Sequence, residues 1–249
     1  MGAVEIVERS NMLIGRSSKE DILLFSSGMD SLIAYYLLDK PQCLHISGHS
    51  KYSNKEFEAV KSIKDMHPEM VLHIIDGQFW LRRFEEPDSN ILFRNAHFAL
   101  MAAHFGKHVY MPCQLGEQEI PDRSPGFFED MSRMLTYLGG QDYILDPVFP
   151  YLTKQDMTGL YLAKGYPKEE LWKTYSCESA KPGRCGQCKM CARAAIALDY
   201  CNILPEDFFV GDIWKWPDWQ DFIRKMRNGL YEKRRTEQTL NVLNKRGLV

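Results

Sequence analysis

The chain has 249 residues, 45% hydrophobic and 26% charged, with a formal net charge of −2. That length suits one large domain, or one domain with an appendage, able to bury a substantial core. The charge balance excludes a global pull toward nucleic acid or anionic membrane. No run approaches the roughly 18 apolar residues of a membrane span, and residues 1–14 lack a secretory pattern, so a cytoplasmic protein with no membrane partner is expected. Met1-Gly2 opens like a myristoylation signal, but Ile6 stands where Ser or Thr is required.

Ile22 to Phe25 is a short apolar run between polar residues and reads as a buried parallel strand, while Leu32 to Leu38 opens a helix. Between them lies Ser26-Ser27-Gly28-Met29-Asp30-Ser31. A turn from a strand into a helix aims free backbone N–H groups and the positive end of the helix dipole at one small volume, which suits a phosphate. Three serine hydroxyls add donors, Gly28 permits close backbone approach, and Asp30 could hold magnesium. The competing reading is a Ser-rich turn capping an ordinary helix.

Further strands are expected at 43–46, 70–75, 109–111 and 143–145. Helices are expected between them, one carrying Phe57, Val60 and Ile63 on one stripe. Strands alternating with helices imply a parallel, doubly wound sheet whose ligands lie beyond the strands' carboxyl ends. His49 and Lys51 would belong to that edge, facing either phosphate or solvent. A helix over 91–105 has the apolar body Leu92, Phe93, Ala96, Phe98, Ala99 and Ala102, interrupted by Arg94-Asn95. Those two need a polar partner or must point to water. The long polar loop at 112–124 contains Glu117 and Asp122 and ends at Ser124-Pro125, a cap followed by proline at the first helical position. Phe127, Phe128, Met131, Leu135 and Leu138 form the stripe of the helix that follows, up to Gly139-Gly140. Thr153 and Asp156 are spaced like a capping box, which puts Lys154 in the first helical turn, where a cation is slightly unfavourable without an anion beside it.

Cys177, Cys185, Cys188 and Cys191 have the spacing C-x7-C-x2-C-x2-C. Four thiolates so spaced can close a tetrahedron around zinc, with Gly183 and Gly186 allowing the turns; the site would be structural because no position stays open. An iron–sulfur cluster shares the ligand set. The other cysteines, Cys43, Cys113 and Cys201, are scattered.

The 26–31 loop resembles the pyrophosphate-binding loop Ser-Gly-Gly-x-Asp-Ser of the N-type ATP pyrophosphatases, with Ser27 where that family has glycine. With the cysteine site it resembles the 7-cyano-7-deazaguanine synthase family. Arg94-Asn95, Pro121-Asp122, Leu152-Thr153-Lys154 and Arg193-Ala194-Ala195 agree with that family in order, so the resemblance runs from about Asp21 to Cys201. It implies an adenine nucleotide alpha hydrolase-like α/β fold at 1–165, a four-cysteine zinc-binding helical subdomain at 166–204, and a ligase that uses ATP and magnesium twice. A deazaguanine carboxylate would become an acyl-adenylate, ammonia would convert it to the amide, and a second adenylation would give the nitrile. Lys154 would stabilise the departing pyrophosphate, Asp30 would hold magnesium, and Arg94, Asn95, Glu117 and Asp122 would serve the substrate.

Residues 205–249 depart from the family. They hold Trp214, Trp216 and Trp219, and then a helical segment over 222–245 that is rich in Lys and Arg. An apolar face (Phe222, Ile223, Met226, Leu230, Tyr231) would dock on the domain or on a twin subunit, leaving a solvated basic face; contact with nucleic acid or a protein partner is the other reading. Ser27 and this tail keep open an enzyme that stops at the amide or transfers the activated deazaguanine to another acceptor, such as a protein amine. A tRNA-modifying enzyme using Cys113 and a non-catalytic ATP-binding module rank below it.

Overall fold

The computed structural model of the 249-residue chain describes residues 20–47, 53–76, 81–84, 86, 91–179 and 181–249. His49 and Lys51 lie outside them. One parallel sheet contains β1 (Asp21–Leu24), β2 (Gln42–Ser47), β3 (Leu72–Asp76), β4 (His108–Gln114) and β5 (Ile144–Phe149), in the order β3-β2-β1-β4-β5. The chain winds outward from β1 through β2 to β3, then returns to pair β4 with β1 on its other side. The order therefore reverses between β1 and β4, the place where ligand crevices form in open α/β sheets.

Alternation along each strand supplies two cores, as a pleat requires. Leu23 and Phe25 face one cluster with Leu32, Ile33, Val60 and Ile63; Ile22 and Leu24 face the other with Ala99, Val109, Met131 and Leu135. The first cluster takes α1 (Met29–Leu37), α2 (Ser53–Met66) and α5 (Lys154–Ala163). The second takes α3 (Arg94–Ala102) and α4 (Pro125–Gly139). A short α6 (Lys168–Leu171) leads to α7 (Lys189–Tyr200), and α8 (Trp219–Arg227) and α9 (Lys233–Lys245) follow. A third cluster joins Cys177, Cys191 and Ile196 to Ile213, Trp216, Trp219, Ile223, Val242 and Leu243. The cysteine segment and the C-terminal residues thus share one core.

Several expectations shift in detail. The helix expected over 91–105 begins only at Arg94, because Phe93 takes the left-handed φ of 63° as its N-cap; Leu92 and Phe93 are then 63% and 64% exposed instead of lining the core. Leu138 is likewise exposed, one residue before Gly139 ends α4 and Gly140 caps it at φ 67°. The last strand runs through Asp146-Pro147 to Phe149, and proline is tolerated there because β5 is an edge strand. The single helix expected over 222–245 is two, broken where Gly229 takes φ 72°, and Leu230 in that break is exposed. Ile223 and Met226 are buried as expected. Ser124 caps α4 and Thr153 with Asp156 forms a complete capping box on α5.

Candidate functional site

The 26–31 loop leaves β1 at the reversal point and enters α1 with Gly28 as N-cap, at φ −71° and ψ 160°. The backbone N–H groups of Met29, Asp30 and Ser31 belong to the first helical turn, which has no intrahelical acceptor for them. Ser27 is the residue that takes a left-handed φ, 59°. It is buried, its hydroxyl donates to the Glu56 carbonyl (3.2 Å), and its carbonyl accepts from the Tyr175 N–H (3.0 Å). Ser31 donates to the Gly28 carbonyl (2.9 Å). Of the three hydroxyls, Ser26 alone stands exposed at the mouth of the loop.

Asp30 points from α1 across the crevice. Its Oδ1 accepts from Lys154 Nζ at 2.5 Å and its Oδ2 from Gln114 Nε2 at 3.3 Å. The capping box starts α5 at Lys154, which puts this lysine at the carboxyl edge of the sheet with its side chain 9% exposed, against 24% for Asp30. The anion that a first-turn lysine calls for is therefore Asp30. Gln114, at the end of β4, also donates to Glu117 Oε1 (3.4 Å), linking two carboxylates through one amide.

Glu117 is almost fully buried and accepts from Arg193 (2.7 Å, α7) and Arg123 (2.8 Å) through the same oxygen. Burial pushes its carboxyl up, but Arg193 and Arg123 outweigh that and hold it at about 2. Its carboxylate is thus committed to guanidiniums. Asp122 lies in the 3-10 turn Pro121–Arg123, and its carboxylate makes no side-chain hydrogen bond among the described residues. Asn95, buried at the start of α3, donates Nδ2 to the Asp122 carbonyl (3.2 Å), so it has found its polar partner and fixes that turn. Arg94 lies in the field of Glu56, whose carboxyl is pushed up to about 7 by burial and drawn down by Arg94. The structure links Asp30, Lys154 and Glu117 through Gln114, while Asp122 sits in the neighbouring turn that Asn95 holds through its carbonyl.

The thiolate candidates converge as the spacing requires. The sulfurs of Cys177, Cys185, Cys188 and Cys191 all lie within 4.8 Å of one another. A tetrahedron with Zn–S bonds of about 2.3 Å needs sulfurs about 3.8 Å apart; Cys185 and Cys191 are at 3.9 Å. Cys177 accepts from the N–H groups of Ser179 (3.4 Å) and Cys185 (3.3 Å), Cys185 from Gln187 (3.3 Å), and Cys188 from Cys191 (3.4 Å). N–H donors on three sulfurs favour thiolates, so the donor set fits a closed metal site such as zinc. Gly186, at φ 65°, lies where an added Cβ would come 2.3 Å from the Gly211 carbonyl, so no other residue fits.

This site braces the loop. The Tyr175 N–H that bonds Ser27 and the nearby Ser176 hydroxyl lie immediately before Cys177. A cavity of about 20 Å³, room for a single water, separates Met29 and Lys154 from Cys177 and Arg184.

Gln114, Arg123, Arg193 and Arg235 also contribute, and the sequence does not single them out. Gln114 ends β4 and Arg123 sits in the polar loop, neither with a signal of its own, and Arg193 is visible only as part of an agreement in order. Arg235 comes from α9, which packs over the loop after β4: Arg235 Nη1 donates to the Gly116 carbonyl (3.5 Å). Burial and then the nearby Arg193 push its guanidinium down to about 10. Arg234 and Gln238 both donate to Asp156 Oδ1 at 2.8 Å, and the Thr153 hydroxyl donates to Gln238 Oε1 at 2.6 Å. The C-terminal helix therefore clamps the cap that places Lys154. By contrast Arg224, Lys225 and Arg227 are exposed, the first two paired with Asp221, as a solvated face should be. No helix among the described residues is long and apolar enough to cross a membrane.

Compared with known proteins, the chain matches no family model and no curated protein.

Proposed function

We propose that the protein is an ATP-dependent C–N ligase with an adenine nucleotide alpha hydrolase-like fold, acting on 7-carboxy-7-deazaguanine and ammonia. The observation that carries this reading is the meeting of the 26–31 loop, Gln114 and the Asp30–Lys154 pair at the reversal between β1 and β4. The first-turn N–H groups and Ser26 would take phosphate oxygens. Asp30 and Lys154 compensate each other in a part-buried cleft, and a magnesium–phosphate unit offers the matching opposite charge to both. Magnesium would supply charge neutralisation on the phosphates.

In this reading the substrate carboxylate attacks the α-phosphorus of ATP, forming an acyl-adenylate and releasing pyrophosphate. Ammonia attacks the acyl carbon and AMP leaves, giving the amide. The amide oxygen is adenylated by a second ATP, and loss of AMP with a proton leaves the nitrile. Because Glu117 is held by two arginines, Asp122 is the carboxylate that would accept hydrogen bonds from the guanine-like N1–H and amino group. Cys113 is an unsuitable nucleophile for a sulfur-transferring alternative: it is buried, and burial pushes its thiol up to about 12.

Incubation of the zinc-loaded protein with 7-carboxy-7-deazaguanine, magnesium ATP and ammonium, followed by mass spectrometry, should yield the nitrile with AMP and pyrophosphate. Absence of AMP and pyrophosphate overturns the reading. Amide alone, or an adduct on protein, would instead favour an enzyme that keeps the first adenylation and redirects it. The clamp of α9 over the site, outside the resembling residues, is the observation that keeps that second reading alive.

A further inference from the structure

Three guanidiniums, Arg123, Arg193 and Arg235, gather beside the loop after β4. Arg123 and Arg193 share Glu117 Oε1, so one carboxylate oxygen serves both. Among the described residues Arg235 makes no ion pair: its Nη1 reaches the Gly116 carbonyl at 3.5 Å, its guanidinium lies over the Tyr231 ring at 5.3 Å, and Glu117 and Glu232 act on it only through their fields. Glu232, the nearest acid on its own helix, has each carboxylate oxygen occupied, accepting from the Arg234 N–H (3.0 Å) and the Arg235 N–H (2.8 Å) as the N-cap of α9. With Lys154, four cations gather around the carboxylates Asp30 and Glu117, both of which are already bonded to cations, and Glu232 adds its field at Arg235.

Placing a guanidinium beside another in a part-buried site costs free energy unless an anion answers it. Arg235 is held there by geometry. The turn at Gly116, with φ 86°, is contacted by the Arg235 Cδ and the Glu232 Cβ, each 3.3 Å from where a Cβ would stand. The clamp of Arg234 and Gln238 on Asp156 fixes the same helical turn. A guanidinium so tightly positioned, with no ion pair among the described residues, is suited to an oxyanion, carboxylate or phosphate, which two guanidiniums can bind by charge-assisted hydrogen bonds.

We propose that Arg235, together with Arg193, forms an oxyanion subsite supplied by the C-terminal helix, which takes the carboxylate of the acid substrate or a phosphate group of the nucleotide. The proposal deepens the ligase reading and rests on it for the identity of the ligand, though not for the existence of the subsite. It gives residues 205–249 a part in binding.

The test is equilibrium binding of two probes, inorganic pyrophosphate and 7-carboxy-7-deazaguanine, to the zinc-loaded full chain and to its Arg235→Gln and Arg235→Lys variants. Zinc content and thermal melts confirm folding. Arg235→Gln should weaken one probe at least about tenfold, the loss expected for a charge-assisted bond, and Arg235→Lys should restore part of it. The probe affected identifies the source of the oxyanion. Unchanged affinity for both probes, or no binding of either by the unaltered protein, overturns the subsite. Arg235-dependent binding without AMP release by the unaltered protein would leave the subsite standing and remove the ligase reading.

Discussion

Ser27 offers the sharpest test of how the 26–31 loop is built. Its φ of 59° is a left-handed conformation that costs an L-residue roughly 1–2 kcal/mol. Ser27→Gly removes that strain, but restores about 0.5–1 kcal/mol of backbone entropy to the unfolded chain and deletes the hydrogen bond to the Glu56 carbonyl, worth about 1 kcal/mol. The terms nearly cancel, so Ser27→Gly should match the unaltered protein within about 1 kcal/mol. Ser27→Ala keeps the strain and loses the bond, so it should fall about 1 kcal/mol below both, or roughly 2–4 °C in Tm for a chain of this size. All three keep the carbonyl that accepts from Tyr175. Urea unfolding monitored by tryptophan fluorescence, with zinc saturating, gives the ordering. An Ala variant as stable as the Gly variant would refute a strained loop held by its hydroxyl. Pyrophosphate release by Ser27→Gly should persist, because the hydroxyl points to α2 and away from the cleft.

Lys154→Ala should reduce pyrophosphate release by about 100-fold or more, the scale for losing a charge aimed at a developing anion, with binding and melts measured in parallel; retained turnover removes its role. Cys188→Ser should lose zinc, read by metal analysis, and lower Tm by about 10 °C or more, since four thiolates and their N–H donors close one site. Acid should expose the Glu117 cluster. Its carboxyl sits below its ordinary value, so the cluster's stabilisation is complete above about 4.5 and is lost as pH falls through about 2. That shift corresponds to roughly 3 kcal/mol. Glu117→Gln should flatten this acid limb while lowering stability at neutral pH, because two guanidiniums lose their partner.

Most of the frame was legible because its signals are local. Ile22 to Phe25 announces a buried strand, found one residue earlier at Asp21–Leu24; the Ser/Gly turn starts a helix, Thr153 and Asp156 form a capping box, and the spaced cysteines bring four sulfurs together. What was not legible depends on pairing across the fold. Lys154 looked misplaced in a first helical turn until Asp30, far away in sequence, supplied its anion. Glu117 looked like a free substrate ligand until Arg123 and Arg193 claimed it. Phe93 looked like a core residue because a stripe count cannot see that its backbone turns left-handed.

The C-terminal residues show most plainly why charge counting falls short. Arg224 and Arg235 are chemically identical, and both belong to a basic segment that composition reads as one solvated face. The break at Gly229 rotates the second helix relative to the first, so Arg224 stays beside Asp221 in solvent while Arg234 and Arg235 turn toward Asp156 and Gly116. The burial of Val242 and Leu243 against the core of the cysteine site holds that rotation. Double replacement Arg234→Ala/Gln238→Ala should therefore loosen the cap of α5 and impair pyrophosphate release through Lys154, lowering kcat more than it raises KM for ATP. The charge-only change Arg224→Ala should leave both unchanged. If the two variants behaved alike, the basic segment would be acting as bulk charge and the clamp would have no part in positioning the lysine.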